Sequence, residues 1–158
     1  MTDSFSTSVI IHADIKLVWK TLTDLELMTK WLGEPEMKIE VQCNWIVNDP
    51  IFIRGFNHVK FENKGIVLKF DKNSRLSYTH LSSISHLADK QENYSILDFT
   101  LIRATDDMSL QLNITNFPTE VIRKHLEFYW RTTVVKIKKM AEEMTDREFD
   151  TIIINNIK

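Results

Sequence analysis

The stretch PTEVIRKHLEFYWRTTVVKIKKMAEEM, residues 118–144, decides the fold. Ile122, Leu126, Trp130, Val134, Ile137, Ala141 and Met144 recur at three- and four-residue spacing, which lays them on one face of a helix of about six turns. Pro118 stands just outside it, and Thr119 takes the N-cap position, where a hydroxyl can accept from an unpaired helical N–H. Glu120 and Lys124, Glu127 and Arg131, and Glu143 and Arg147 place an acid four residues ahead of a base. Each such pair supports a helix by about 0.3–0.5 kcal/mol. A helix with one apolar face needs a partner surface, and the rest of the chain supplies a sheet.

Working upstream, the period is two. Leu110, Leu112 and Ile114 alternate with polar residues, as do Leu97, Phe99 and Leu101, with an Asp106-Asp107 turn between the runs. Residues 82–93 are polar and read as a loop. Leu76, Tyr78 and His80 form another strand, joined through Asp71-Lys72-Asn73-Ser74 to the one that opens at Gly65 and carries Ile66, Leu68 and Phe70. Ile51 to Phe61 reads as a strand with a bulge at Gly55, and Met37 to Val47 as a half-buried strand closed by the turn Asn48-Asp49-Pro50. Two short helices precede these. Asp14 caps one carrying Ile15, Val18, Trp19 and Leu22, and Asp24 starts one carrying Leu25, Met28, Trp31 and Leu32, ended by Gly33 and Pro35. Phe5 to His12 is the first strand.

The expected architecture is α+β: a curved antiparallel sheet of about seven strands wrapped around a long C-terminal helix. The 158 residues fit a single domain, with a core over 5–146 and a tail over 147–158. That tail contains Ile152-Ile153-Ile154, a triplet expected to pack on its own domain or on a second subunit. A twisted sheet and a straight helix cannot touch everywhere, so a cavity between them is expected.

Charge and composition exclude several function classes. Twenty basic residues face 22 acidic ones, so the basic excess of a nucleic-acid binder is missing. The single cysteine, Cys43, rules out an internal disulfide and an all-cysteine zinc site. The five histidines lie on separate elements without metal-ligand spacing, and no Gly-x-Ser-x-Gly elbow occurs. No metal, cofactor or membrane span is expected, and a cytoplasmic location is.

Four stretches carry a family resemblance. They are Ile15 to Asp24 with Lys30-Trp31, Gly65 to Asp71 running into Arg75-Leu76-Ser77-Tyr78-Thr79, the Leu97–Ile114 hairpin, and Phe128-Tyr129-Trp130-Arg131. Together they resemble the activator of heat-shock-protein-90 ATPase homologue family, within the START-like superfamily that shares the helix-grip fold of the birch pollen allergen. Asn48-Asp49-Pro50 replaces a Gly-Gly-rich turn common among relatives, and Lys72-Asn73 replaces a Pro-Pro-like pair. The resemblance implies a fold used for chaperone contacts, for carrying apolar ligands and occasionally for catalysis. Fold does not choose among these.

Strand phase and the helix face give the candidate cavity wall: Trp45, Leu68, Phe70, Tyr78, His80, Phe99, Leu112, Leu126, Trp130 and Val134, with Trp31 at the mouth. The same aromatic side chains can instead fill the space as core. Tyr78 and His80, two apart on a strand, share a face, and their polar tips need partners from protein, water or ligand. Three functions follow. The first is a non-enzymatic domain binding a small apolar or amphipathic ligand. The second is a co-chaperone-like contact module, and the third an isomerase or cyclase using His80 or Tyr78 in acid–base work. The chain is expected to act as a monomer or homodimer.

Overall fold

The computed structural model describes residues 4–157, with side chains over 4–144. A first strand, β1 (Ser4–Ile11), leads into helices α1 (Ile15–Thr23) and α2 (Leu25–Leu32). Six strands follow: β2 (Glu40–Cys43), β3 (Pro50–Asn57), β4 (Val59–Asp71), β5 (Arg75–Ser82), β6 (Ser95–Ala104) and β7 (Asp107–Thr115). The long helix α3 (Glu120–Ile157) closes the chain. All seven strands form one antiparallel sheet in the order β1-β7-β6-β5-β4-β3-β2, so the last strand closes beside the first.

The registers sort the apolar residues onto one face. One row across the sheet pairs Phe5 with Ile114, Ile114 with Leu97 and Leu97 with Tyr78; the next pairs Leu112 with Phe99, Phe99 with Leu76 and Leu76 with Phe70. Against them lie Leu126, Trp130, Val134, Ile137 and Ala141 of α3, all buried. The stripe read from the sequence is therefore the face that the sheet grips. Thr119 caps α3 through its hydroxyl to the Ile122 N–H at 3.2 Å. Further along, Lys138 Nζ donates to the Ile10 carbonyl at 2.6 Å and Glu142 accepts from the His12 N–H at 2.8 Å, pinning the helix to the end of β1.

Several local expectations are corrected. The strand expected over Met37–Val47 pairs only over Glu40–Cys43. Asn44 ends it: its amide donates to Asp49 at 2.7 Å, its oxygen accepts from the Ile46 N–H, and Trp45 turns left-handed at φ 57°. The strand expected over Ile51–Phe61 is broken by a hairpin turn at His58, also left-handed at φ 65°, so residues from Val59 onward belong to β4. Gly55 lies in unbroken register with Phe61, and the irregularity falls between Val67 and Lys69 of β4. Asp14 precedes α1 without a side-chain cap, whereas Asp24 accepts from the Leu27 N–H at 3.1 Å. Glu127 pairs with Arg123 at 3.0 Å, and Arg131 instead lies over the Phe5 ring. Finally, the α3 backbone stays helical to Ile157, so the stretch read as a tail continues the helix; the packing of Ile152-Ile153-Ile154 lies outside the described side chains.

Candidate functional site

Aromatic rings fill the middle of the grip. Trp45 stacks on Phe70 with centroids 5.2 Å apart, and Phe70 meets Trp19 at 5.3 Å. Tyr78 reaches Trp45 at 6.4 Å and Phe99 at 6.1 Å; Phe99 meets Trp130 edge-on at 5.5 Å, and Trp130 meets Trp31 at 6.1 Å. Such pairs contribute roughly 0.5–1.5 kcal/mol each beyond the area they bury. Two indole N–H groups are spent on the scaffold, Trp31 donating to the Thr21 carbonyl and Trp45 to the Thr23 carbonyl, both at 2.8 Å. These two tryptophans tie the α1–α2 pair together and to the β2–β3 loop.

Beyond that aromatic chain the packing stops, and a cavity of about 420 Å3 opens between the first turns of α3 and the ends of β3, β4 and β5. That volume is within the roughly 300–1,000 Å3 range of small-molecule sites. The sheet contributes Ile53, Phe61, Asn63, Tyr78 and His80, and α3 contributes Ile122, His125, Leu126, Tyr129 and Trp130. Leu32, Met37 and Ile39 close one side; Ser82, Ser85, Asn93 and Ser95 form another. The last four are short side chains, and they leave this side of the cavity unfilled. Tyr129 ties the wall to α2, since its hydroxyl donates to the Leu32 carbonyl at 2.6 Å; burial pushes its pKa up to about 12, so the phenol keeps that proton.

Of the residues expected to line a cavity, Tyr78, His80, Leu126 and Trp130 do so. Phe99, Leu112, Val134 and Trp31 are instead fully buried in the solid core, and Trp45 and Phe70 belong to the aromatic stack. Leu68, half-buried, lies at the β4 irregularity outside the wall. The opening is at one end of the grip, where strand phase alone spread it along the whole sheet. Ile122 was legible on the helix stripe, and His125 lies beside it one turn before Tyr129. Asn63 and Ser95 depend on strand register, which the sequence does not disclose.

Tyr78 and His80 hold the site's chemistry. Neither the Tyr78 hydroxyl nor the His80 imidazole has a hydrogen-bond partner among the described residues, and both face the cavity. Burial raises the Tyr78 pKa far above its usual 10 and, with His125 opposite, lowers that of His80 from 6.5 to about 4. Both groups are neutral at physiological pH, the phenol a donor and the imidazole donor and acceptor at once. The unfolded chain binds the His80 proton near 6.5 and the folded chain only near 4, so acidification through that window favours unfolding. Wild type is expected to lose about 2 kcal/mol more between pH 7 and 4.5 than a His80→Leu variant. Urea unfolding across that range checks this; equal losses in the two proteins would remove His80 as the cause.

Among the described residues, no three His, Cys, Asp or Glu side chains gather in a way that could hold a metal ion. Nor, among them, is any helix long and apolar enough to cross a membrane. The Cys43 thiol is half-buried and its pKa raised by that burial, which suits a packing role.

Solved structures share this architecture. A protein from Cytophaga hutchinsonii, determined in solution, matches at 27% identity with a TM-score of 0.74, covering 91% of this chain and 97% of its own. A Chromobacterium violaceum crystal structure matches at 15% identity and a TM-score of 0.74, over 89% of this chain and 98% of its own. The Aha1 dimer from Colwellia psychrerythraea matches at 17% identity and a TM-score of 0.70, over 89% and 96%. No curated protein matches the chain. The model of the family described as Activator of Hsp90 ATPase homolog 1-like protein matches residues 12–142, and with its helix-grip fold the chain belongs to that family.

Proposed function

We propose that this chain is a cytoplasmic, non-enzymatic binding domain that holds a small apolar or amphipathic molecule between sheet and α3. One observation carries the reading: the cavity of about 420 Å3 into which Tyr78 and His80 present polar groups that no described residue satisfies. Both groups open onto the cavity, so an occupant that bonds to them replaces water-like partners, and these polar contacts fix its orientation more than they add affinity. Apolar contact with Phe61, Leu126 and Trp130 adds about 25 cal/mol per Å2 removed from water, before ordering costs.

Native mass spectrometry of gently purified protein, against its denatured mass, tests the reading. A discrete extra mass in wild type, absent from a cavity-blocked Ile122→Trp variant, is the expected result. The same extra mass retained by the folded variant would count against it. Tyr78→Phe is expected to change stability by less than about 1 kcal/mol, because the hydroxyl it removes has no protein partner. A larger loss in urea unfolding would mean that the hydroxyl serves the fold.

A second reading has its own support. The family's description points to activation of a chaperone ATPase, and α3 presents Val121 (78% exposed), Phe128 (77%) and Val135 (46%) at seven-residue spacing on its outer side. Under that reading the partner is a chaperone and the cavity is incidental. Stimulation of a heat-shock-protein-90 ATPase by wild type and Ile122→Trp alike, abolished by Phe128→Glu, would favour it. Self-association as a homodimer, the state of the Colwellia protein, is the other use such a stripe could have.

A further inference from the structure

We propose that the cavity selects uncharged ligands: molecules with an apolar body and a hydroxyl or carbonyl group, in preference to carboxylates, sulfonates or charged amines. The inference rests on the ligand-binding reading and narrows it. Among the described residues, no aspartate, glutamate, lysine or arginine lines the cavity. Its polar wall is made of amides, hydroxyls and imidazoles, contributed by residues such as Asn63, Ser82, Asn93 and Ser95 besides Tyr78 and His80. Every one of those groups can pair with a neutral donor or acceptor and none carries a fixed charge; His125 adds a second imidazole on the α3 side.

Two charged residues on the elements that build the wall have acidic partners of their own. Lys64 of β4 bonds Asp89 at 2.6 Å, and Arg123 of α3 bonds Glu127 at 3.0 Å. An ionic head entering the cavity would give up its hydration without gaining an opposite charge, a cost that apolar contact does not return. The neutral state of His80, favoured by burial, agrees with this. Beside these groups Ile53 and Phe61 on the sheet and Leu126 on α3 offer apolar surface. The lining thus matches a ligand with polar and apolar parts but no charge.

Two probes that share a ring system separate the possibilities. N-phenyl-1-naphthylamine is neutral, and 8-anilino-1-naphthalenesulfonate adds one sulfonate to the same frame. Their fluorescence is titrated at pH 8, where imidazoles are neutral, into wild type, Ile122→Trp and Asn63→Phe, with circular dichroism confirming that the variants are folded. The neutral probe is expected to bind wild type at least tenfold more tightly than the sulfonate and to lose that affinity in either variant. Sulfonate binding as tight as neutral binding, and lost in the variants, would overturn the selectivity while leaving the ligand-binding reading intact. Neutral-probe binding that is absent, or unchanged in both folded variants, would overturn the ligand-binding reading and the selectivity with it.

Discussion

Gly65→Ala is expected to cost more than about 3 kcal/mol and to leave little folded protein. A Cβ built at Gly65 would overlap the carbonyl oxygen of Thr79, with the carbonyl carbon 2.5 Å away and the Thr79 Oγ1 3.0 Å away. That obstacle is backbone of the neighbouring strand, which cannot rotate aside. The approach is close because Thr79 Oγ1 accepts from the Ile66 N–H at 2.9 Å, beside the irregularity that interrupts the β4–β5 ladder. Inserting a methyl would push apart β4 and β5, central strands whose inner residues, Val67 and Tyr78, belong to the core. Gly33 is the control. A Cβ there meets first the sulfur of Met37, at the far end of a flexible side chain, so Gly33→Ala is expected to cost far less. Urea unfolding of both variants measures the contrast; equal and small losses would show that β4 and β5 can separate without harm.

The second large effect concerns occupancy. Ile122→Trp and Asn63→Phe enlarge side chains on opposite walls of the cavity, one on α3 and one on β4. Each is expected to weaken binding of N-phenyl-1-naphthylamine by at least a hundredfold, because filled volume cannot be shared. Stability should fall by no more than about 1–3 kcal/mol, the usual range for overpacking, since the added atoms enter open space. Leu112 and Val134 behave differently. Both are 1% exposed within the solid core, so a bulkier residue there overpacks the grip without reaching the cavity. Such variants should be destabilised while the surviving folded protein keeps its affinity. The comparison separates a cavity at the end of the grip from one along its length.

Much of this fold was legible in the residues themselves. The α3 stripe from Ile122 to Ala141 reads directly because one face of a helix repeats every 3.6 residues over many turns. The β6–β7 hairpin reads equally well, since its alternation is unbroken and its inner residues are buried. The His58 turn was hidden because no glycine, asparagine-glycine pair or proline marks it; a histidine in left-handed backbone leaves no compositional trace. The β2 strand was overextended because Trp45 and Val47 continue the alternation after Asn44 has turned the backbone away.

The site was less legible, for a physical reason. Tyr78 and His80 were found because polar tips on an apolar strand face stand out. Whether large aromatics enclose space or fill it depends on their contacts across strands, and a single sequence does not encode those pairings openly. Trp45, Phe70 and Phe99 fill it. The space is left instead by short residues, Ser82, Ser85, Asn93 and Ser95, three of which lie in or beside the stretch read as an ordinary polar loop.

The most direct test of a ligand-holding cavity locates a bound molecule. Isotope-filtered nuclear Overhauser spectra of the labelled protein with unlabelled N-phenyl-1-naphthylamine report which side chains touch the probe. Contacts to Tyr78, His80, Leu126 and Trp130 together are the predicted result, a set that only the cavity brings within reach of one small molecule. Contacts confined to Phe128 and Val135, on the outer side of α3, would contradict it and make the helix surface the working face of the protein.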